Sequence, residues 1–185
     1  MQKSKGKIFK LVRVLAKIGE IAHWIGIGLM VALAICAVVA GDWLTSTFNI
    51  GFANMSFYGF RVTVANSAGE VDWKVILMFA IGSAAICPFM AMILRNVCFI
   101  VKTAEQTTPF NKDNIRKLKQ IGIFAMVIPV VGLVMGIITS LVMGIDTVDY
   151  VYVNGDGLVV GLIVLALTHV FAYGVKLEED VEGLV

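Results

Sequence analysis

The chain has 185 residues, of which 59% are apolar and only 15% charged, with a formal net charge of +2. A water-soluble domain of this length cannot hide so much hydrophobic surface, and so mild a basicity is no footprint for nucleic acid. Cys36, Cys87 and Cys98 have no CxxC or paired spacing, so they read as small residues packing in helices and not as a disulfide framework.

Residues 1–20 predict a helix with two faces. Ile8, Leu11, Leu15 and Ile18 recur at three- and four-residue steps, while Lys7, Lys10 and Lys17 fall on the other side. Such a helix would rest on lipid headgroups with its lysines toward anionic lipid; the alternative is a docking face for a cytoplasmic partner. The run over 21–40 has the length of a first membrane crossing, about 20 residues for a ~30 Å hydrocarbon core. A basic start and Val38-Val39-Ala40 also fit a cleaved signal peptide, but the apolar stretch and its basic lead are too long for one, so an anchor is expected. Glu20 and His23 share one helical face in a Glu-x-x-His spacing. Di-iron bundles use that motif twice, and here no second copy exists.

Residues 41–74 form a loop more ordered than a connector requires. From Tyr58 to Val64 side chains alternate as in a strand, Phe60, Val62 and Val64 on one face and Arg61 and Thr63 on the other, and Asn66 to Gly69 reads as a turn. The run over 75–101 is a second crossing, with Pro88 inside it. Residues 102–120 are a basic loop opening a helix, followed by a third crossing over 121–145 that contains Pro129 and a Gly132/Gly136 pair suited to close helix contact. Residues 146–156 carry a second strand-like stretch, 148–153, closed by Asn154-Gly155 and expected to pair with the first. The fourth crossing, 157–175, contains His169, and residues 176–185 are an acidic tail. His169 and His23 fall in the same half of the membrane, but two ligands are too few for a metal site. The expectation is an all-α membrane protein of one domain: a four-helix transmembrane bundle, an N-terminal amphipathic helix and a small extracytoplasmic β-hairpin-like cap.

Charge orients it. The segment before the first crossing and the 102–120 region with its helix ends hold twelve of the lysines and arginines, against Arg61 and Lys74 in the other two loops. Cytoplasmic loops retain such residues, so both termini and the middle loop are expected in the cytoplasm. Asp42, Glu70, Asp72, Asp146, Asp149 and Asp156 give the opposite face a charge of about −4. Those acids are expected to keep the cap soluble; the alternative is binding of a cation or a basic peptide.

The most specific stretch runs from Thr108 to Gly122. Asn111 is a good helix N-cap, Phe110 and Ile115 are placed to close a hydrophobic staple, and Asp113 falls in the first turn, where the helix dipole favours an anion. This Pro-Phe-Asn start with a basic Ile/Leu-patterned helix and a Gly resembles the bacterial domain-of-unknown-function family 2975. The end of the chain, Phe171 to Asp180, is similar to that family's closing Gly, apolar position and acidic run; Val181 to Val185 departs from it. The resemblance covers essentially the whole chain and implies a bacterial inner-membrane protein, a companion of a small helix-turn-helix regulator, with no catalytic residue to carry over.

Three functions compete on this reading. A non-enzymatic sensor or anti-regulator would bind its cytoplasmic regulator through Pro109, Phe110, Asn111, Arg116 and Lys117 of the loop and Glu178, Glu179 and Asp180 of the tail. For these residues the simpler reading is topology and helix capping. A transporter or channel-like subunit, working as a homo-oligomer, needs polar groups at mid-membrane, where Thr139 and Ser140 are weak and Arg95 and Asn96 lie near the inner boundary. A membrane enzyme lacks any nucleophile–base constellation, phosphate loop or metal cluster. Glu20, His23 and His169 are the candidate intramembrane polar residues; no cofactor or metal is expected, and the lipid bilayer is the one certain partner.

Overall fold

The computed structural model describes residues 2–48, 54–63, 72–106, 111–143 and 155–182. In chain order it forms α1 (Gln2–Val39), α2 (Gly41–Phe48), β1 (Asn54–Phe57), β2 (Phe60–Thr63), α3 (Trp73–Gln106), α4 (Lys112–Met143) and α5 (Gly155–Glu182). Helices α1, α3, α4 and α5 are long and apolar enough to cross a membrane, and each covers nearly all of one predicted run. Pro88 and Pro129 lie inside α3 and α4, leaving the carbonyls of Ala84 and Ala125 without their helical donors.

The expected amphipathic segment and the first apolar run join without a break in α1. Its apolar stripe points outward: Ile8, Leu11, Leu15 and Ile18 are each more than half exposed. The opposite side packs against protein. Ala16 is buried there, and a methyl group on Gly19 would stand 2.8 Å from Leu94 Cδ1. Apolar outside and small or charged inside is the reverse of a soluble helix, and it is stable where hydrocarbon is the solvent.

Tertiary contacts divide the chain into two compact units. The first comprises residues 1–22, 89–126 and 156–185. In it α4 and α5 meet at glycines: a methyl group on Gly122 would stand 2.8 Å from Leu165 Cγ, and one on Gly161 would overlap Met126. Side chains this small let two helix backbones approach closely.

The second unit comprises residues 23–88 and 127–155. Ala37, Leu44 and Ile76 form a buried cluster, with Leu33, Met55, Trp73 and Leu77 packed on it. The cluster holds α2, which falls where the sequence predicts a loop; eight residues with Thr45 and Ser46 bonded back to local carbonyls make a weak helix, and burial of Leu44 fixes it. Asp72 caps α3, its Oδ1 accepting the Lys74 N–H at 2.9 Å, and Asp42 and Asp156 lie in the first turns of α2 and α5. Three of the acids read as a soluble surface thus sit at helix N-termini, where the dipole favours them.

The strand over 60–63 is present with the expected alternation, Phe60 and Val62 buried and Arg61 exposed. Tyr58, expected as its first residue, belongs instead to a turn, and its described partner is a strand the sequence does not announce. Strand β2 pairs with β1, antiparallel, with Phe57 opposite Phe60, through a two-residue turn at Tyr58-Gly59. Both turn residues have positive φ, 47° and 87°, as a type I′ hairpin turn requires. The anticipated partner stretch 148–153, Val64 and the turn over 66–69 lie outside the described residues.

Nor does this hairpin merely rest on the helix ends. Phe60 is 1% exposed, stacks on Phe79 at 6.0 Å and fills the space left by Gly82, where a methyl group would stand 2.5 Å from its Cε1. Gly132 lies against the backbone of the same strand, its would-be methyl 3.6 Å from the Phe60 nitrogen. The first glycine of the Gly132/Gly136 pair therefore accommodates a strand, not another helix. At 1.5 Å per residue, Gly82 is about 14 Å along α3 from Trp73 and Gly132 about 17 Å from the Met143 end of α4.

Phe60→Ala should cost about 3 kcal/mol of stability in detergent, as expected for emptying a buried aromatic site. Gly82→Val should cost about 1–3 kcal/mol by overpacking. The two losses should be far from additive, because removing the Phe60 ring makes room for the introduced valine side chain. Unfolding titrations of both single variants and the double variant check this coupling.

Candidate functional site

In the first unit, α1, α3 and α4 surround a cavity of about 880 Å³. α1 lines it with Arg13, Lys17 and Glu20, one helical turn apart along the face opposite the apolar stripe. α3 adds Arg95, Asn96 and Lys102, and the first turns of α4 add Asp113, Arg116 and Lys117. Six cations face two carboxylates in one concavity.

Local chemistry places these groups. Asn111 caps α4 as expected, its Oδ1 accepting the Asp113 N–H at 2.9 Å while its carbonyl accepts from Ile115 at 3.1 Å. Two turns on, the Asn96 amide donates to Gln120 Oε1 at 3.3 Å, tying α3 to α4 beside the cavity. Arg13 Nη1 meets Glu105 Oε2 at 2.8 Å, and Cys98 Sγ lies 3.5 Å from the Arg13 carbonyl oxygen, tying α1 to α3. Glu20 is buried and paired with Lys17 at 2.9 Å, so the carboxylate reaches this depth with its charge compensated. Arg116 is only loosely paired with Asp113, at 3.9 Å, and Lys117 Nζ stands 5.5 Å from the centre of the Phe99 ring.

Of the residues picked from sequence, Glu20, Arg116 and Lys117 come together at this cavity. Asn111 is at the head of α4 and serves as its cap. Asp180 is exposed on α5, and His169 is exposed on the same helix. Pro109 and Phe110, and with them the expected staple to Ile115, lie outside the described residues, as do the side chains of Glu178 and Glu179. Sequence reasoning misses Arg13, Lys17, Arg95, Asn96 and Lys102 as one site. It uses the charges for orientation and for the polar face of the first helix, and Arg95 and Asn96 only as polar groups near the inner boundary, although positions 13, 17 and 20 already share one face.

His23 belongs to the second unit. Its Nε2 is 3.0 Å from the Tyr58 hydroxyl at the hairpin turn, and the rings lie 5.8 Å apart. That contact is about 24 Å along α1 from Val39. Burial, and then the nearby Cys87 thiol, raises the Tyr58 phenol above its ordinary value, so at neutral pH it keeps its proton and can donate to the imidazole. Glu20 and His23 thus serve different places despite their shared spacing. Among the described residues no three His, Cys, Asp or Glu side chains are grouped closely enough to hold a metal ion.

The family model described as "Protein of unknown function (DUF2975)" matches residues 59–185, which include β2, α3, α4 and α5. The chain belongs to the DUF2975 family. No curated protein and no solved structure matches it. Four long apolar helices with outward apolar faces make this DUF2975 member a multi-pass membrane protein. The match takes in two walls of the basic cavity, while α1, which brings Arg13, Lys17 and Glu20, lies before it.

Asn111→Ala should lower stability by about 1 kcal/mol through loss of the α4 cap, with Asn111→Ser restoring most of it. Tyr58→Phe should cost about 1 kcal/mol by removing the hydroxyl from His23. Thermal unfolding of the three variants in one detergent measures both effects.

Proposed function

We propose that the protein is a non-enzymatic, multi-pass component of a bacterial inner membrane that holds a cytoplasmic helix-turn-helix regulator. Both termini and the 102–120 segment face the cytoplasm in this reading. One observation supports it above the others: cations from the N-terminal segment and from the middle segment line the same cavity, as expected if both emerge on one side of the bilayer. Arg116, exposed and held only by a 3.9 Å ion pair, and Asp180, exposed on α5, leave charge of both signs for a protein partner. A change in the bundle would then be passed to the regulator through the segment that leads into α4.

Two measurements test the two parts. A cysteine at position 112 (Lys112→Cys) should react with an impermeant thiol reagent only after the cells are opened; labelling from outside intact cells overturns the orientation. The intact protein should co-purify with a helix-turn-helix regulator, and Arg116→Glu with Lys117→Glu should abolish that and change expression from the regulated promoter. Charge reversal that alters membrane insertion but leaves reporter expression untouched sinks the partner reading.

A further inference from the structure

The basic cavity of the first unit is more positive than its internal pairing accounts for. Glu105 engages Arg13 and Glu20 engages Lys17, both at salt-bridge distance, while Asp113 reaches Arg116 only at 3.9 Å. Arg95 and Lys102 have no ion pair among the described residues, and Lys117 has only the face of Phe99. Like charges drawn from α3 and α4 into one concavity repel one another, and a low-dielectric wall focuses their field on whatever anion enters.

The shape and the other lining groups define the anion further. A volume of about 880 Å³ lies within the range of small-molecule sites, roughly 300–1,000 Å³, and exceeds what a bare inorganic ion fills. Met92 and Phe99 give one wall an apolar surface. Guanidinium groups offer paired donors matched to phosphate oxygens, and ammonium groups add point charge that can follow a doubly charged ester. Of the two lining carboxylates Glu20 is neutralised by Lys17 at 2.9 Å, which leaves Asp113 alone to oppose such a guest.

We propose that this cavity binds a phosphate monoester. Arg95, Lys102 and Lys117 hold its phosphate, and its organic part lies against Met92 and Phe99. The ester has two sources, a phosphatidic-acid headgroup entering from the bilayer or a soluble phosphate ester entering from water. The chemistry of recognition is the same for both; Lys117 is shared with the proposed regulator surface, but Arg95 and Lys102 are not, so the phosphate site stands or falls by itself.

Native mass spectrometry of the intact chain in neutral detergent decides it, with dioleoylphosphatidic acid, dioleoylphosphatidylcholine and glycerol 3-phosphate as probes. Retention of one phosphatidic acid at concentrations where phosphatidylcholine is not held identifies the lipid source; retention of glycerol 3-phosphate identifies the soluble one. Arg95→Gln with Lys102→Gln should weaken that binding at least about tenfold, as loss of charge-assisted bonds predicts. Lys7→Gln with Lys10→Gln removes the same charge from exposed positions on α1 outside the cavity and should leave binding within about twofold, since a distant solvated charge is largely screened. If the first double variant does not fold, Lys117→Gln takes its place with the same expected loss. Failure of both phosphate probes to bind overturns the proposal, as do equal retention of phosphatidylcholine and equal losses in the cavity and control variants.

Discussion

A non-helical backbone packed among apolar helices has to satisfy its own hydrogen bonds, because neither lipid nor a helix that has spent its carbonyls internally will do so. The β1–β2 hairpin meets part of that demand, pairing the groups that face each other across a two-residue turn. What then fixes it in place is one side chain. Phe60 fills the notch at Gly82, stacks on Phe79 and presses its backbone against Gly132. Three elements of the second unit therefore share one contact, and a methyl group at Gly82 would displace the ring that makes it.

Polarity is inverted along the first helix. The stripe from Ile8 to Ile18 is outside, and the face with Ala16 and Glu20 is inside, with Arg13 half-buried beside them. Water would reverse that order; lipid preserves it, since apolar side chains cost nothing there and charged ones need partners. The partners are present. Glu105 meets Arg13, Lys17 meets Glu20, and the surplus positive charge collects at the cavity wall made by α3 and α4. Lysines and arginines that are distant in sequence are thereby gathered on one concave wall.

Much of this was legible in the residues. The four apolar runs became four long helices because length and hydropathy alone decide whether a segment can satisfy its backbone in hydrocarbon. Asn111 was readable as a cap because the cap bond is local, between Asn111 and Asp113. The alternation of Phe60, Arg61 and Val62 was equally local, and it survived intact. The turn at Tyr58-Gly59 was not legible, since tyrosine is an unusual residue to hold a positive φ and its position fits the strand alternation.

Side chains distant in sequence obey no such local rule. Nothing in periodicity says that Phe60 will find Gly82 and Gly132, or that Tyr58 will reach His23. Nor does spacing tell that residues 13, 17, 95, 102 and 117 converge, for they lie on three helices whose facing sides are selected by packing. Composition and pattern by themselves determined the solvent, the number of crossings and the cap of α4, since each depends on neighbours along the chain. Only the tertiary structure decided where the hairpin lodges and which charges share a cavity, because both are set by how closely glycine notches let separate backbones approach.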